Sequence, residues 1–304
     1  VIFCACCDDN FHPVAFPALP SSPPACPAFA PTRRALLGAP ALLCAAPARA
    51  LDPPRFDLTG AVTPGGLVRG QALPLSRISF NGRPLRVSPE GRFAFGFGRD
   101  ANTVAVLDIL HGNSRPETRR LEVTPRTYAE QRINGLPGAM VTPPPDTQER
   151  IRREQAQLNA ARAHDRAATD WWEGLDWPCR GPISGVFGSR RILNGEPRAP
   201  HLGLDIAAPT GTPVLAGATG VVRLAEPDLY FSGGSVLLDH GHTVMSFYIH
   251  LSRLDVKPGD MVARGAVIGA VGATGRVTGA HLHLGLFWAG VALDPALALP
   301  ASQD

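Results

Sequence analysis

At 304 residues, with 44% hydrophobic content and a formal net charge of +3, the chain can bury one large core or two modest ones. The basic excess is almost all arginine, with Lys257 the single lysine, and it forms no stripe interleaved with aromatics, which argues against nucleic acid as a partner. High Gly (32) and Pro (31) counts punctuate short apolar runs and favour strands and turns over long helices.

Residues 1–50 read as a leader and signal peptide. Arg33-Arg34 precedes a short apolar stretch, which ends in the small-x-small site Ala48-Arg49-Ala50. The apolar run, about 12 residues, is too short to span a bilayer, so export and cleavage after Ala50 are expected, with no stable membrane anchor. Sec and twin-arginine export both fit the paired arginines. Five of the six cysteines (Cys4, Cys6, Cys7, Cys26 and Cys44) fall in this segment, and cleavage leaves Cys179 as the one thiol. No intramolecular disulfide is then expected.

Residues 51–136 alternate apolar and polar residues with period two, as in Arg77–Phe80, Arg92–Phe95 and Val104–Leu107. Turn signals at Asn81-Gly82, Pro89–Gly91 and His111–Asn113 separate the runs, predicting a small antiparallel β module. Residues 137–177 form a Pro-rich connection and a helix. Asp146 or Thr147 can cap that helix, which is expected to run to about Thr169 with Ile151, Leu158 and Ala161 on one side. From 178 to 304 the runs are strand-like throughout, among them Gly220–Leu224, Ser235–Asp239, Thr243–Ile249 and His281–Trp288, and an all-β domain is predicted.

Six of the nine histidines lie between residues 201 and 283. In His201-Leu-Gly-Leu-Asp205 an extended chain places 201, 203 and 205 on one face, and Gly203 leaves space between two ligands. His281-Leu-His283 repeats the geometry with both imidazoles on one face. Two such strands side by side offer three or four N/O ligands to one ion, and imidazole plus a carboxylate is the donor set of catalytic zinc. His240-Gly-His242 has the same spacing but sits between two apolar runs, where it reads as a structural hairpin turn.

Taken together, His201-x-Gly-x-Asp205-Ile-Ala-Ala-Pro-x-Gly-Thr-Pro-Val214, Tyr248-Ile-His250-Leu-Ser252 and Gly269–Gly275 followed by Thr278-Gly-Ala-His-Leu-His283 closely resemble the M23 (lysostaphin/LytM-type) peptidoglycan endopeptidases. The likeness covers roughly residues 182 to 288. Gly65–Gly70, Gly96–Asp100 and Arg132–Pro137 resemble more weakly an amino-terminal module found in one bacterial subgroup. The resemblance implies a mainly β fold with a groove over an antiparallel sheet. It also implies one Zn2+ held by His201, Asp205 and His283, with His250 and His281 as catalytic histidines. It further implies cleavage of peptidoglycan peptide stems in the periplasm or envelope of a Gram-negative bacterium. Ala280 and Leu284 depart from the commoner Pro and aromatic, and the insert Arg190–Pro200 lies in a loop that varies within the family. A non-catalytic wall-binding relative and a zinc hydrolase acting outside the wall are the rival expectations. A structural zinc is disfavoured because such sites are closed and Cys-rich.

Overall fold

The computed structural model describes residues 56–112, 116–134 and 142–303. The expected leader and signal peptide lies outside the described residues. The described chain is mainly β, in agreement with the sequence pattern.

Seven strands open the fold: β1 (Asp57–Gly60), β2 (Leu67–Gln71), β3 (Ser76–Phe80), β4 (Arg83–Pro84), β5 (Arg92–Gly96), β6 (Val104–His111) and β7 (Glu117–Glu122). They form two antiparallel sheets, one ordered β1-β2-β5 and the other β4-β3-β6-β7. The Asn81-Gly82 signal closes the β3–β4 hairpin with both residues at positive φ (48° and 78°), the twist that suits a tight hairpin. Alternation then buries Ala105, Leu107 and Ile109 along β6. Phe80 stacks on Phe95 at 4.4 Å and meets Trp288 edge-on at 6.0 Å, so this region shares its core with the carboxy-terminal strands.

β8 (Glu130–Ile133) is followed by helix α1 (Gln148–Arg162). The helix ends seven residues before the expected Thr169. Beyond it the backbone bonds to the 240–242 turn instead, the Arg166 carbonyl accepting from His242 N (2.8 Å) and Asp170 N donating to the His240 carbonyl (3.0 Å). Nor is the expected side-chain cap made, because the Thr147 hydroxyl donates backwards to the Pro144 carbonyl.

The remaining strands are β9 (Ile183–Gly185), β10 (Arg190–Leu193), β11 (Glu196–Arg198), β12 (Leu204–Ala207), β13 (Pro213–Leu215), β14 (Gly220–Leu229), β15 (Gly233–Asp239), β16 (Val244–Leu254), β17 (Met261–Val262), β18 (Val267–Val271), β19 (His281–Trp288) and β20 (Val291–Leu293). The main path of the large sheet runs β17-β14-β15-β16-β19-β12-β9. β10 and β11 form a separate hairpin whose first strand, β10, pairs in parallel with β8, a link no local pattern predicts.

Period two divides the large sheet into unlike faces. Leu282, Leu284, Leu286 and Trp288 of β19 enter the main core with Tyr248 and Val236. The opposite face carries His283 and Phe287. There Leu158 and Ala161 of α1 pack on Phe247, Ile249, Leu237 and Phe287, while Arg162 lies over the Phe287 ring at 4.2 Å. The helix is pinned to β14 and the turn after it. Glu154 accepts from Tyr230 N (2.8 Å), Gln157 donates to Glu226 (2.6 Å) and Arg150 pairs with Asp228 (3.1 Å). One face thus builds the core, and the other holds the polar cluster with the helix closing one side of it.

Candidate metal centre

The cross-strand register between β12 and β19 sets Asp205 directly opposite His283. His201 stands just before β12, not on a shared strand with Asp205, because β12 begins only at Leu204. A bend at Gly203 brings the ring back over the strand. The glycine is required: a Cβ there would collide with the His283 ring and the Leu284 carbonyl. Gly185 plays a matching part, since a Cβ there would strike the Asp205 carboxylate.

Three polar atoms then converge in a buried space. His201 Nε2 lies 3.0 Å from Asp205 Oδ1 and 3.0 Å from His283 Nδ1, and His283 Nδ1 lies 2.8 Å from the same Oδ1. All three side chains are almost wholly shielded from solvent. His201 Nδ1 sits 3.0 Å from the Val186 carbonyl. A carbonyl only accepts, so Nδ1 carries the ring proton, and in neutral imidazole Nε2 then presents a lone pair. Burial, aided by the nearby charges of Arg191 and His283, lowers His201 to about 4, against the pull of Asp205, and keeps the ring neutral. Burial pushes the Asp205 carboxyl up, yet the two imidazoles beside it outweigh burial and hold it well below the usual carboxylate range. A lone pair and a carboxylate oxygen thus face each other at 3.0 Å with no proton between them, and Asp205 Oδ2 is buried with no hydrogen-bond partner among the described residues. Such a face-off is resolved by a cation. A neutral His201 imidazole and an ionised carboxylate are protonation states a divalent metal requires of its ligands, and with His283 beside them the donor set fits zinc.

His250 and His281 adjoin this cluster, their rings 4.8 Å apart, and His281 Nε2 is 3.9 Å from Asp205 Oδ1. How His250 gets there is the least obvious step. On β16, Ile249 stands opposite His283 and shares its face, so simple alternation would turn His250 into the core. His250 instead has φ +67°, a strained value for a non-glycine residue. The next residue, Leu251, lies in the main core, where alternation would have put His250. A one-residue irregularity thus shifts the strand's parity and swings the imidazole to the polar face. Tight backbone contacts hold it there: His250 N donates to the Ser232 carbonyl (2.8 Å) and His250 Nδ1 to the Thr274 carbonyl (2.9 Å). His281 Nδ1 likewise donates to the Gly279 carbonyl (2.9 Å). Both rings therefore direct Nε2 as the accepting nitrogen. Burial first, then the neighbouring His281 and His283, pushes His250 well below the ordinary histidine value.

All five histidine and aspartate positions expected from the sequence are therefore brought together. What the sequence did not reveal are the three carbonyls, of Val186, Thr274 and Gly279, that fix the tautomers. Backbone atoms have no residue-type signature. A narrow cleft of about 60 Å³ runs from His283 beneath α1, lined by Leu158, Leu202, Phe231, Ser232 and Ile249 among others.

A sequence profile of Peptidase family M23 matches residues 199–295, which contain every residue of the cluster. Peptidoglycan DD-endopeptidase ShyA of Vibrio cholerae is 48% identical over 102 residues, covering 33% of this chain and 24% of that protein. Cell division protein DipM of Caulobacter vibrioides is 31% identical over 206 residues, covering 66% of this chain and 32% of DipM. The chain spans about a quarter to a third of the length of these curated relatives. A solved Pseudomonas aeruginosa structure, described as a peptidase M23, superposes with a TM-score of 0.60 at 32% identity, covering 77% of this chain and 93% of that one. With a fold shared over nearly that whole structure, and the histidine–aspartate cluster inside the matched segment, the chain belongs to peptidase family M23.

Proposed function

We propose that the protein is an exported zinc endopeptidase that hydrolyses peptide crosslinks of peptidoglycan in the bacterial envelope. His201, Asp205 and His283 would hold one Zn2+, and His250 and His281 would be the catalytic histidines. Within it, residues 51–136 form an amino-terminal module, 137–177 the connection and 178–304 the catalytic domain. The observation that carries the proposal is the His201–Asp205 face-off at 3.0 Å, in which the ring proton is already committed to the Val186 carbonyl. The naming of ShyA as a peptidoglycan DD-endopeptidase supports the choice of substrate.

When bound, zinc polarises the scissile carbonyl and lowers the pKa of bound water to about 7. The chain's own residues do the rest. His250 and His281 each present Nε2 towards the cluster with the ring tautomer fixed from behind. Either can take a proton from the attacking water and return it to the departing amine. Burial, and then the neighbouring His281 and His283, keep His250 neutral and so an acceptor at neutral pH. The parity shift at His250 costs strain, and in return places a base beside the ligands that regular alternation would have buried.

Digestion of purified peptidoglycan and of defined crosslinked muropeptides, read by mass spectrometry with and without chelator, tests the proposal. Release of uncrosslinked stems, lost on chelation and restored by zinc, is the expected result. Intact crosslinks beside a zinc-loaded, folded protein would sink it.

A further inference from the structure

The hairpin β10–β11 runs directly into His201 in sequence and belongs to the part of the chain that precedes the matched family segment. Its base is tied to the first candidate ligand, since Gly188 N donates to the His201 carbonyl and His201 N to the Ser189 carbonyl. Around the hairpin lies a concavity of about 460 Å³ lined by Arg99, Arg190, Arg191, Arg198, Ile192, Pro197 and Pro200. That volume falls in the range of small-ligand sites. Four arginines line it and no carboxylate does.

Three of the four arginines come from the hairpin itself, and Arg99 joins them from a distant part of the chain. Arg99 comes from the loop after β5 and is held in place, its Nε donating to the Gly188 carbonyl (2.9 Å) while its guanidinium lies over the Tyr128 ring at 4.5 Å. Its Nη1 pairs with Asp100, which is largely exposed and offsets part of the charge. Arg190 is exposed, and among the described residues no carboxylate pairs with it. Its cross-strand neighbour Glu130 pairs with Arg132 instead, at 2.7 Å. Arg191 is buried, and Arg198 reaches Thr142 at 3.4 Å. Pro200, the last lining residue, directly precedes His201.

We propose that this arginine-lined concavity is an oxyanion-binding site that anchors a carboxylate or phosphate group of the substrate or of its wall neighbourhood beside the reacting centre. Guanidinium groups present forked donors that match a planar carboxylate or a phosphate, and several converging on one group give both affinity and orientation. The proposal rests on the function proposed above only for its preferred source, the free carboxylates of peptide stems.

The first arm needs no catalysis. The full chain, stripped of metal with chelator and then dialysed, is titrated with inorganic pyrophosphate and followed by amide chemical shifts and calorimetry. Saturable binding centred on residues 190–200 is expected, weakened at least tenfold in the double variant Arg190→Gln/Arg198→Gln. Arg153→Gln, on the exposed face of α1, controls for net charge and is expected to bind as the wild type does. The second arm compares muropeptide dimers with free and with amidated stem carboxylates. If the stem supplies the anion, the double variant raises KM about tenfold on free-carboxylate dimers, leaves kcat within twofold, and treats the amidated dimers as the wild type does. If pyrophosphate binds but amidation changes nothing, the site stands and the anion comes from a phosphate polymer. Absence of saturable pyrophosphate binding together with a KM indifferent to both arginines and to amidation overturns the proposal. Should wild type cleave no muropeptide, the functional proposal fails while the binding arm still decides this one.

Discussion

Two buried histidine pairs have identical spacing, His281-Leu-His283 on strand β19 and His240-Gly-His242 in the turn between β15 and β16. Around His240 the hydrogen bonding closes on itself. His240 donates Nδ1–H to the Thr219 carbonyl (2.7 Å) and accepts at Nε2 from the Ser246 hydroxyl (2.7 Å), which also lies 3.0 Å from the Tyr248 hydroxyl. His242 packs its ring on Trp171 at 5.2 Å. Around the first pair the bonding is left open inward: backbone carbonyls take the outer Nδ1 protons of His201, His250 and His281. The inner atoms converge on a single carboxylate oxygen. Spacing alone does not separate a ligand set from a structural turn; where the ring protons go does.

The largest effects fall on the open cluster. Replacing His201, Asp205 or His283 by alanine is expected to remove bound zinc and to cut hydrolysis by more than about 10³-fold. Metal analysis and muropeptide turnover read the two losses together. A metal-replete, active His283→Ala protein would break the distinction between the two pairs. Next come the non-ligand histidines. His281→Ala or His250→Ala is expected to keep one zinc per chain while kcat falls about 10²- to 10⁴-fold. Loss of the metal in either would move that residue into the ligand set.

The closed pair gives the opposite pattern. His240→Ala removes a buried ring and leaves the Ser246 and Tyr248 hydroxyls and the Thr219 carbonyl to rearrange. A stability loss of about 2–4 kcal/mol by denaturant unfolding is expected, with zinc content and kcat of the folded protein within twofold of wild type.

How much of this was legible beforehand follows from what each feature depends on. Strand runs such as 76–80 and 104–109 showed because one-faced burial writes period two into residue type. Asp205 and His283 were legible as ligands because residue type and strand spacing coincide there. The position of His201 off the strand was not, since Gly203 fits a bend and a strand equally well in one dimension. The His250 parity shift was also hidden: Tyr-Ile-His-Leu-Ser reads as an unbroken strand, and only the backbone at φ +67° reveals the swing. The early end of α1 and the β8–β10 pairing depend on partners more than 50 residues distant, where local propensity carries no information.

The smallest effect sharpens the comparison through acid stability. Burial lowers His242 to about 4, with the Arg86 charge acting the same way and Asp165 opposing; His240 is shifted in the same direction, chiefly by burial. Unfolded, a histidine titrates near 6.5. Above that pH both states are neutral and the full stability is present. As pH falls from about 6.5 to about 4 the unfolded chain takes up a proton that folded His242 refuses, so stability declines through this window. Below about 4 both states are protonated and this residue contributes no further slope. His242 sits at φ +47°, a conformation asparagine tolerates, so His242→Asn removes the titration without forcing the backbone. The measurement is Tm between pH 8 and pH 4 at fixed ionic strength, on metal-free wild type and variant. The Tm gap between them is expected to be constant above about pH 7 and to shift in the variant's favour as pH falls through the window. The cluster histidines titrate in both proteins and cancel in that difference. Parallel curves would mean that His242 is protonated equally in both states, and the closed pair would then lose its claim to be held neutral by burial.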